Sequence, residues 1–190
     1  NLFEGRWHLA QYAILMALLL AAPWLLGTYY LGELTAVLVW SLAGLGLMLI
    51  SGHTGQVSLG HAAFMAIGAF TNLALMLRGW HFLPALLASA VTSGVIGAII
   101  SRPILRMSGI YLAIATLALS IIIEDVAIMA EPITGGVAGV FAPPIAMFGM
   151  EIDRYATPEA FYYLCLAVLV LVTLGYLNLL RSASGRSFLA

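Results

Sequence analysis

A short polar stretch between two long apolar runs constrains this fold more than any other feature of the sequence. Residues 51–61 read Ser-Gly-His-Thr-Gly-Gln-Val-Ser-Leu-Gly-His, and apolar residues dominate positions 34–50 before them and 62–77 after them. Inside a bilayer, irregular backbone is tolerated only where it is buried in protein or lines a cavity. Glycine-interrupted spans followed by a new helix are typical of transport sites. The pattern therefore predicts that residues 54–60 break a transmembrane helix and that Ser58 caps the next helix. The alternative is a polar loop at the membrane surface.

The composition indicates a membrane-spanning chain and excludes an ordinary soluble domain. Of the 190 residues, 63% are hydrophobic and 8% are charged, whereas about a quarter of the residues in a soluble domain are charged. Long apolar runs favour helices over a barrel of alternating strands. The formal net charge of -1 gives no support for nucleic-acid binding.

The apolar runs predict an all-α fold, a polytopic transmembrane helix bundle with about six spans and a broken helix around residues 52–60. A hydrocarbon core of about 30 Å needs roughly twenty residues per span. We expect a single transmembrane domain over residues 1–190. The predicted spans are residues 9–27, 34–50, 60–77, 82–100, 109–130 and 160–180.

Arginine placement predicts the orientation of the later spans. Arg102 and Arg106 follow the fourth span, and Arg181 and Arg186 follow the last one. Since arginine is enriched in cytoplasmic connectors, we expect both of these segments inside. The link formed by residues 131–159 would then lie outside.

A carboxylate lies in the later part of the fifth apolar run. Glu124 either contributes to a helix interface or outer mouth, paired with Arg or a backbone donor, or it lies at the membrane surface. Helical spacing places Ser120 one turn before it, where the hydroxyl could help to satisfy the carboxylate.

A second glycine turn follows the fifth run. Residues 132–136 read Pro-Ile-Thr-Gly-Gly, and Gly139 comes soon after. Consecutive backbone N–H groups in such a turn can hold an anionic group. The alternative is an ordinary Pro-Gly turn in an external loop.

Catalytic and metal-binding patterns are not supported by this sequence. His53 and His61 have no cysteine or carboxylate partners at ligand spacing. Ser58 and His61 could form a nucleophile and base, but the sequence has no Gly-x-Ser-x-Gly elbow and no evident orienting acid. It also has no phosphate loop. We therefore predict a chain that is not an enzyme, with no metal and no cofactor.

Four segments in sequence order resemble the branched-chain amino acid ABC transporter permeases, of the second-permease type. The matching segments are residues 47–70, residues 109–119, Thr134-Gly135-Gly136 with Gly139, and residues 181–186 with Ala190. The resemblance implies a multi-pass permease subunit of the bacterial inner membrane. Its implied partners are a second permease subunit, ATP-binding subunits and a periplasmic substrate-binding protein.

The resemblance also implies a pathway for branched-chain or related amino acids beside the broken helix. It further implies that a cytoplasmic coupling helix and more spans follow Ala190, so we expect this sequence to be the N-terminal part of a longer permease; the alternatives are a truncated product and a divergent short member. The alternative function is a passive channel or secondary carrier for small polar solutes such as amides or urea. The candidate substrate-pathway residues are Thr54, Gly55, Gln56, Ser58, Gly60, His61, Thr134, Gly135 and Gly136.

Overall fold

The computed structural model describes residues 6–53, 58–104, 106–107, 109–147 and 150–181. Most of these residues are helical, which confirms the predicted all-α bundle class. Two three-residue strands pair as a small sheet, and the sequence pattern did not predict them. In chain order the elements are α1 (Arg6–Leu25), α2 (Thr28–Leu47), a π-helical turn (Met48–His53), α3 (His61–Leu77), α4 (Phe82–Ile104), α5 (Ile110–Met129), α6 (Glu131–Thr134), a 3-10 turn (Gly136–Ala138), β1 (Ile145–Met147), β2 (Met150–Ile152) and α7 (Pro158–Arg181).

Among the described residues, four helical stretches are long and apolar enough to cross a membrane, and two apolar helices are shorter. At 1.5 Å per residue, twenty helical residues cover about 30 Å. The helices agree with the predicted spans, except that α2 begins at Thr28 and not at residue 34. The four long stretches are Thr28–Gly52, Phe82–Arg102, Ile110–Met129 and Pro158–Arg181, and the shorter helices are Ala10–Leu25 and His61–Leu77.

The chain divides into two compact units, and each is described by itself. The first unit comprises Asn1–Ala43 and Ile152–Leu177, so its helices are α1, most of α2 and most of α7. Tyr162 at its centre is fully buried. The core residues of this unit are Ala22, Leu31, Leu38, Tyr162 and Leu166.

A proline within α1 explains one of the polar contacts of this core. Pro23 lies inside the helix and has no N–H, so the carbonyl four residues earlier loses its helical donor. That carbonyl belongs to Leu19, and the Tyr162 hydroxyl donates to it at 2.8 Å. Because lipid offers no alternative donor, this bond fixes α7 against α1 within the unit.

The second unit comprises Gly44–Glu151 and Asn178–Ala190, and α3 lies at its centre. α3 packs most extensively on α4 and next on α5. Small residues let the helices approach closely, as shown by Ala63 and Ala85, which are almost completely buried. Between α3 and α4, the Ser93 hydroxyl donates to the Phe64 carbonyl at 2.9 Å. The residues on either side of the broken stretch therefore belong to one packed unit.

Candidate functional site

The structure describes residues 58–60 of the broken stretch, and these residues are hydrogen-bonded to the side of α5. The Leu59 N–H donates to Thr116 Oγ1 at 2.9 Å, and the Ser120 hydroxyl donates to the Leu59 carbonyl at 3.1 Å. Thr116 lies about 9 Å along α5 from its first residue, at 1.5 Å per residue. Both backbone polar groups of Leu59 are thus satisfied by side chains of a candidate span, as irregular backbone at membrane depth requires.

The prediction that Ser58 caps the new helix is wrong in detail. α3 begins at His61 with Gly60 in the N-cap position, and no side-chain cap is made by the residues described around it. The Ser58 hydroxyl oxygen lies 3.4 Å from the Gly60 nitrogen, which is beyond the usual N–H···O distance. The Leu59 N–H donates to Thr116 and not to a helical or capping acceptor. The helix therefore begins at His61, which is later than a Ser58 cap would require.

Gly60 is the point of closest approach between this segment and α5. It is buried, and a Cβ atom placed on it would lie 3.2 Å from the Thr116 Cβ and 3.3 Å from the Thr116 carbonyl oxygen. Both distances are shorter than ordinary van der Waals contacts. A larger residue at position 60 would therefore push the start of α3 away from α5.

The His61 imidazole occupies space that is left by a glycine near the end of α2. A Cβ atom on Gly46 would lie 2.7 Å from His61 Cε1 and 3.2 Å from Nε2. His61 Nε2 is buried and has no hydrogen-bond partner among the described residues. His61, the first residue of α3, is thus positioned by steric fit, and none of the described residues provides a hydrogen bond to its Nε2.

The second glycine turn is held to the last turns of α5 by a threonine. Thr134 is buried, and its hydroxyl donates to the Ala127 carbonyl at 2.6 Å. The Gly136 N–H donates to the Thr134 hydroxyl oxygen at 3.1 Å, and the Gly135 N–H donates to the Glu131 carbonyl at 2.9 Å. Because these two N–H groups already donate within the turn, they are not free to bind an anionic group as predicted. The segment instead forms part of a cavity wall.

A cavity of about 450 Å³ lies between α3, α5 and the second glycine turn. This volume falls in the range of roughly 300–1,000 Å³ that is usual for small-molecule sites. Its walls are mainly apolar and include one hydroxyl and one carboxylate. The lining residues are Ala62, Ala63, Ala66, Phe70, Ser120, Ile123, Glu124, Ala127, Ile128, Gly136 and Val137.

The polar wall of the cavity belongs to a stripe on α5 that was only partly recognised in the sequence. Thr116, Ser120 and Glu124 are spaced four residues apart and therefore share one face of the helix. The Ser120 hydroxyl bonds to Leu59 and to the Thr116 carbonyl, and not to Glu124 as spacing had suggested. The signal for this stripe was the recurrence of polar residues every four positions in an apolar span.

The structure brings the two predicted groups of site residues to one helix. Ser58, Gly60 and His61 lie at the start of α3 beside the middle of α5, and the second group follows its C-terminal end. Of the nine predicted residues, Gly136 lines the cavity directly. The predicted residues Thr54, Gly55 and Gln56 lie outside the described residues; the second group is Thr134, Gly135 and Gly136.

Helices of membrane-spanning length, a helix that restarts against another span and a solute-sized cavity beside that restart define a multi-pass membrane protein of the transport class. Comparison of residues 29–190 narrows the class, because they match the family described as "Branched-chain amino acid transport system / permease component". The chain belongs to this family. The predicted resemblance and the predicted location, a multi-pass protein of the bacterial inner membrane, are thereby confirmed.

Two relatives share the name high-affinity branched-chain amino acid transport system permease protein LivM. The chain is 32% identical to that of Salmonella typhimurium (strain LT2), over 94% of this chain and 48% of the relative. It is 30% identical to that of Escherichia coli (strain K12), over 92% of this chain and 46% of the relative. The chain thus spans about half the length of these relatives. No solved structure matched the chain.

Proposed function

We propose that this chain forms part of the permease subunit of an ABC importer, and that it lines a pathway for branched-chain or related amino acids together with a second permease. The cavity between α3 and α5 carries the proposal. A cavity of about 450 Å³ with aliphatic and aromatic walls suits a solute with an apolar side chain, and a few polar groups suffice to orient such a solute.

The nine predicted residues would form the two ends of this pathway. Thr54, Gly55, Gln56, Ser58, Gly60 and His61 would border it at the start of α3. Thr134, Gly135 and Gly136 would border it beyond α5. The N-terminus of α3 would favour a carboxylate by roughly 0.3–1 kcal/mol. Weak contacts suit a pathway, because tight binding would favour one conformation over the others.

The remaining parts of the importer would be supplied by other chains. We propose residues 1–190 as a single permease domain that does not itself hydrolyse ATP, since the sequence has no phosphate loop. Hydrolysis would be carried out by ATP-binding subunits, and a periplasmic substrate-binding protein would deliver the amino acid. The family description, a permease component of a transport system, supports this division of labour.

The test is uptake of radiolabelled leucine by proteoliposomes that contain the full-length permease and its partner subunits. Ala66 lines the cavity, and Ala66→Phe is expected to reduce ATP-dependent uptake at least tenfold by filling it. Ala118 lies on α5, is exposed and lies outside the cavity lining. Ala118→Phe is therefore the matched control and is expected to transport normally.

Each result of this assay decides between functions. Uptake that requires ATP and the delivery protein supports the importer. Equal leucine or urea flux without ATP would instead support a passive channel or carrier. Normal uptake by an assembled Ala66→Phe complex would refute the assignment of the pathway to this cavity.

A further inference from the structure

A carboxylate inside a candidate span is the feature of the cavity that the proposed function leaves unexplained. Glu124 lines the cavity and lies five residues before the end of α5 at Met129, which is about 8 Å along the helix. A charged side chain at this depth costs several kcal/mol unless it faces water or a partner of opposite charge. The position therefore calls for a polar occupant of the cavity.

Glu124 has no such partner within the part of the chain that the structure describes. Glu124 is exposed, and no hydrogen bond or ion pair to its side chain is found among these residues. It is the one charged group in the described lining of the cavity. A second carboxylate, that of Glu131, belongs to a side chain that packs against Gly136 at the cavity wall. We expect these carboxylates to give the cavity a negative electrostatic potential.

The groups next to Glu124 indicate which class of ligand would fit a cavity of negative potential. A primary ammonium carries three N–H donors, which can be shared between the Glu124 carboxylate and the lone pairs of the Ser120 hydroxyl one turn away. Around them the cavity wall is aliphatic and aromatic, contributed by Phe70, Ile123 and Ile128. A compact cation with a branched apolar tail satisfies both parts, whereas a solute with only a carboxylate would be repelled.

We propose that Glu124 is a specificity-determining residue, which binds the α-ammonium group of the transported amino acid while its aliphatic side chain packs in the α3/α5 cavity. This inference rests on the proposed transport function and adds to it the group that is recognised. It predicts that the ammonium, and not the carboxylate, is required for occupancy of this cavity.

The potential at the cavity can be measured with a cysteine reporter at Ala66 in the full-length, lipid-reconstituted complex. Cys165, the single cysteine of this sequence, and any other cysteine of the complex would be replaced with serine. Two methanethiosulfonate reagents of similar size and opposite charge then probe the site. If the reporter lies roughly 6 Å from a negative charge that is screened as in water, the ratio of the ethylammonium rate to the sulfonatoethyl rate rises about tenfold above that of a free thiol. Glu124→Gln should return this ratio to that of a free thiol.

Asp125 provides the matched control, because it is the next residue on α5 and lies outside the cavity lining. Asp125→Asn should keep the cationic preference, and Glu124→Asp should restore most of it. A second reporter, Ala62→Cys, covers the case in which the first perturbs the complex. An equal preference in Glu124→Gln and in the unsubstituted reporter would overturn the assignment of the potential to Glu124.

Ligand protection then identifies the recognised group. Leucine and 3-methylbutylamine, which both carry an ammonium, should slow labelling at position 66, and 4-methylpentanoate, which lacks it, should not. Glu124→Gln should remove the protection. Protection by 4-methylpentanoate as strong as that by leucine would refute the proposal even where leucine transport is intact. An absence of ATP-dependent leucine uptake by the unsubstituted complex would instead refute the proposed function.

Discussion

The bond between Leu59 and Thr116 is the most direct test of how the broken helix is held. Thr116→Val preserves the size and branching of the side chain but removes the oxygen that accepts the Leu59 N–H at 2.9 Å. The lost bond from Thr116 to the Ala113 carbonyl lies within α5 and matters less, because a helical carbonyl keeps its backbone donor. The substitution therefore isolates the contact between the broken stretch and α5.

The expected size of the effect follows from the environment of this bond. An amide left unsatisfied when buried costs about 1–3 kcal/mol, whereas hydrogen bonds within a bilayer average about 0.6 and reach about 1.7 kcal/mol. The Leu59 bond is partly buried, so about 1–1.4 kcal/mol is expected. This free energy corresponds to about a five- to tenfold increase in local opening.

Hydrogen exchange at the Leu59 amide, measured on the complex in lipid nanodiscs, checks this expectation. Thr116→Ser keeps the acceptor and should exchange as the unsubstituted protein does. Thr71→Val is the matched control, because among the described residues the Thr71 hydroxyl bonds only to the Ile67 carbonyl on its own helix. Unchanged exchange in Thr116→Val, or equal acceleration in Thr71→Val, would refute the view that Thr116 anchors the stretch.

Two further predictions concern the loops beyond α5. Gly135 has φ +73°, and a Cβ atom on it would collide with the Gly139 carbonyl oxygen. Gly79 has a similar φ of +85°, but a Cβ atom there would meet no neighbouring atom. Gly135→Ala should therefore lower Tm more than Gly79→Ala. The left-handed conformation costs each alanine about 1–2 kcal/mol, and equal shifts in Tm would contradict the steric term. Asp153 accepts the N–H groups of Tyr155 at 2.6 Å and Ala156 at 3.0 Å, and these bonds, in that order, lower the pKa of its carboxyl below the ordinary 3.8. The turn should thus be fully stabilised above pH 3.8 and lose that stabilisation as pH falls through the lowered pKa. Amide exchange at pH 2–5 should show this trend, and Asp153→Asn should flatten it; a turn equally stable across that range would refute it.

Hydropathy predicted the helices well because a bilayer core of about 30 Å requires spans of roughly twenty apolar residues. α4 begins at Phe82 as predicted, and α3 begins one residue after the predicted start. The beginning of α2 was misplaced because the prediction started at the apolar run, whereas Tyr29 and Tyr30 before that run are also helical; aromatic residues do not end a helix. The small sheet was missed because three residues per strand are too few to show a period of two.

The site was only partly predictable, because its geometry depends on contacts distant in sequence. The glycines marked both turns, but the partner of Leu59 lies 57 residues away on α5. Local rules favoured Ser58 as an N-cap, and tertiary hydrogen bonding overrode that preference. Glu124 was recognised as unusual, yet sequence alone did not place it in a cavity with Gly136.

The polar residues of α5 connect the broken stretch to the second glycine turn, so the two segments cannot be considered separately. Thr116 and Ser120 hold the backbone of Leu59, and the Ala127 carbonyl holds Thr134 at the other end of the same helix. α5 is thus bonded to both turns as well as forming one wall of the cavity. A displacement of α5 relative to α3 must therefore either break the bonds to Leu59 or carry residues 58–60 along with it. Because packed helices move as rigid elements, the width of the cavity and the position of both turns are mechanically linked.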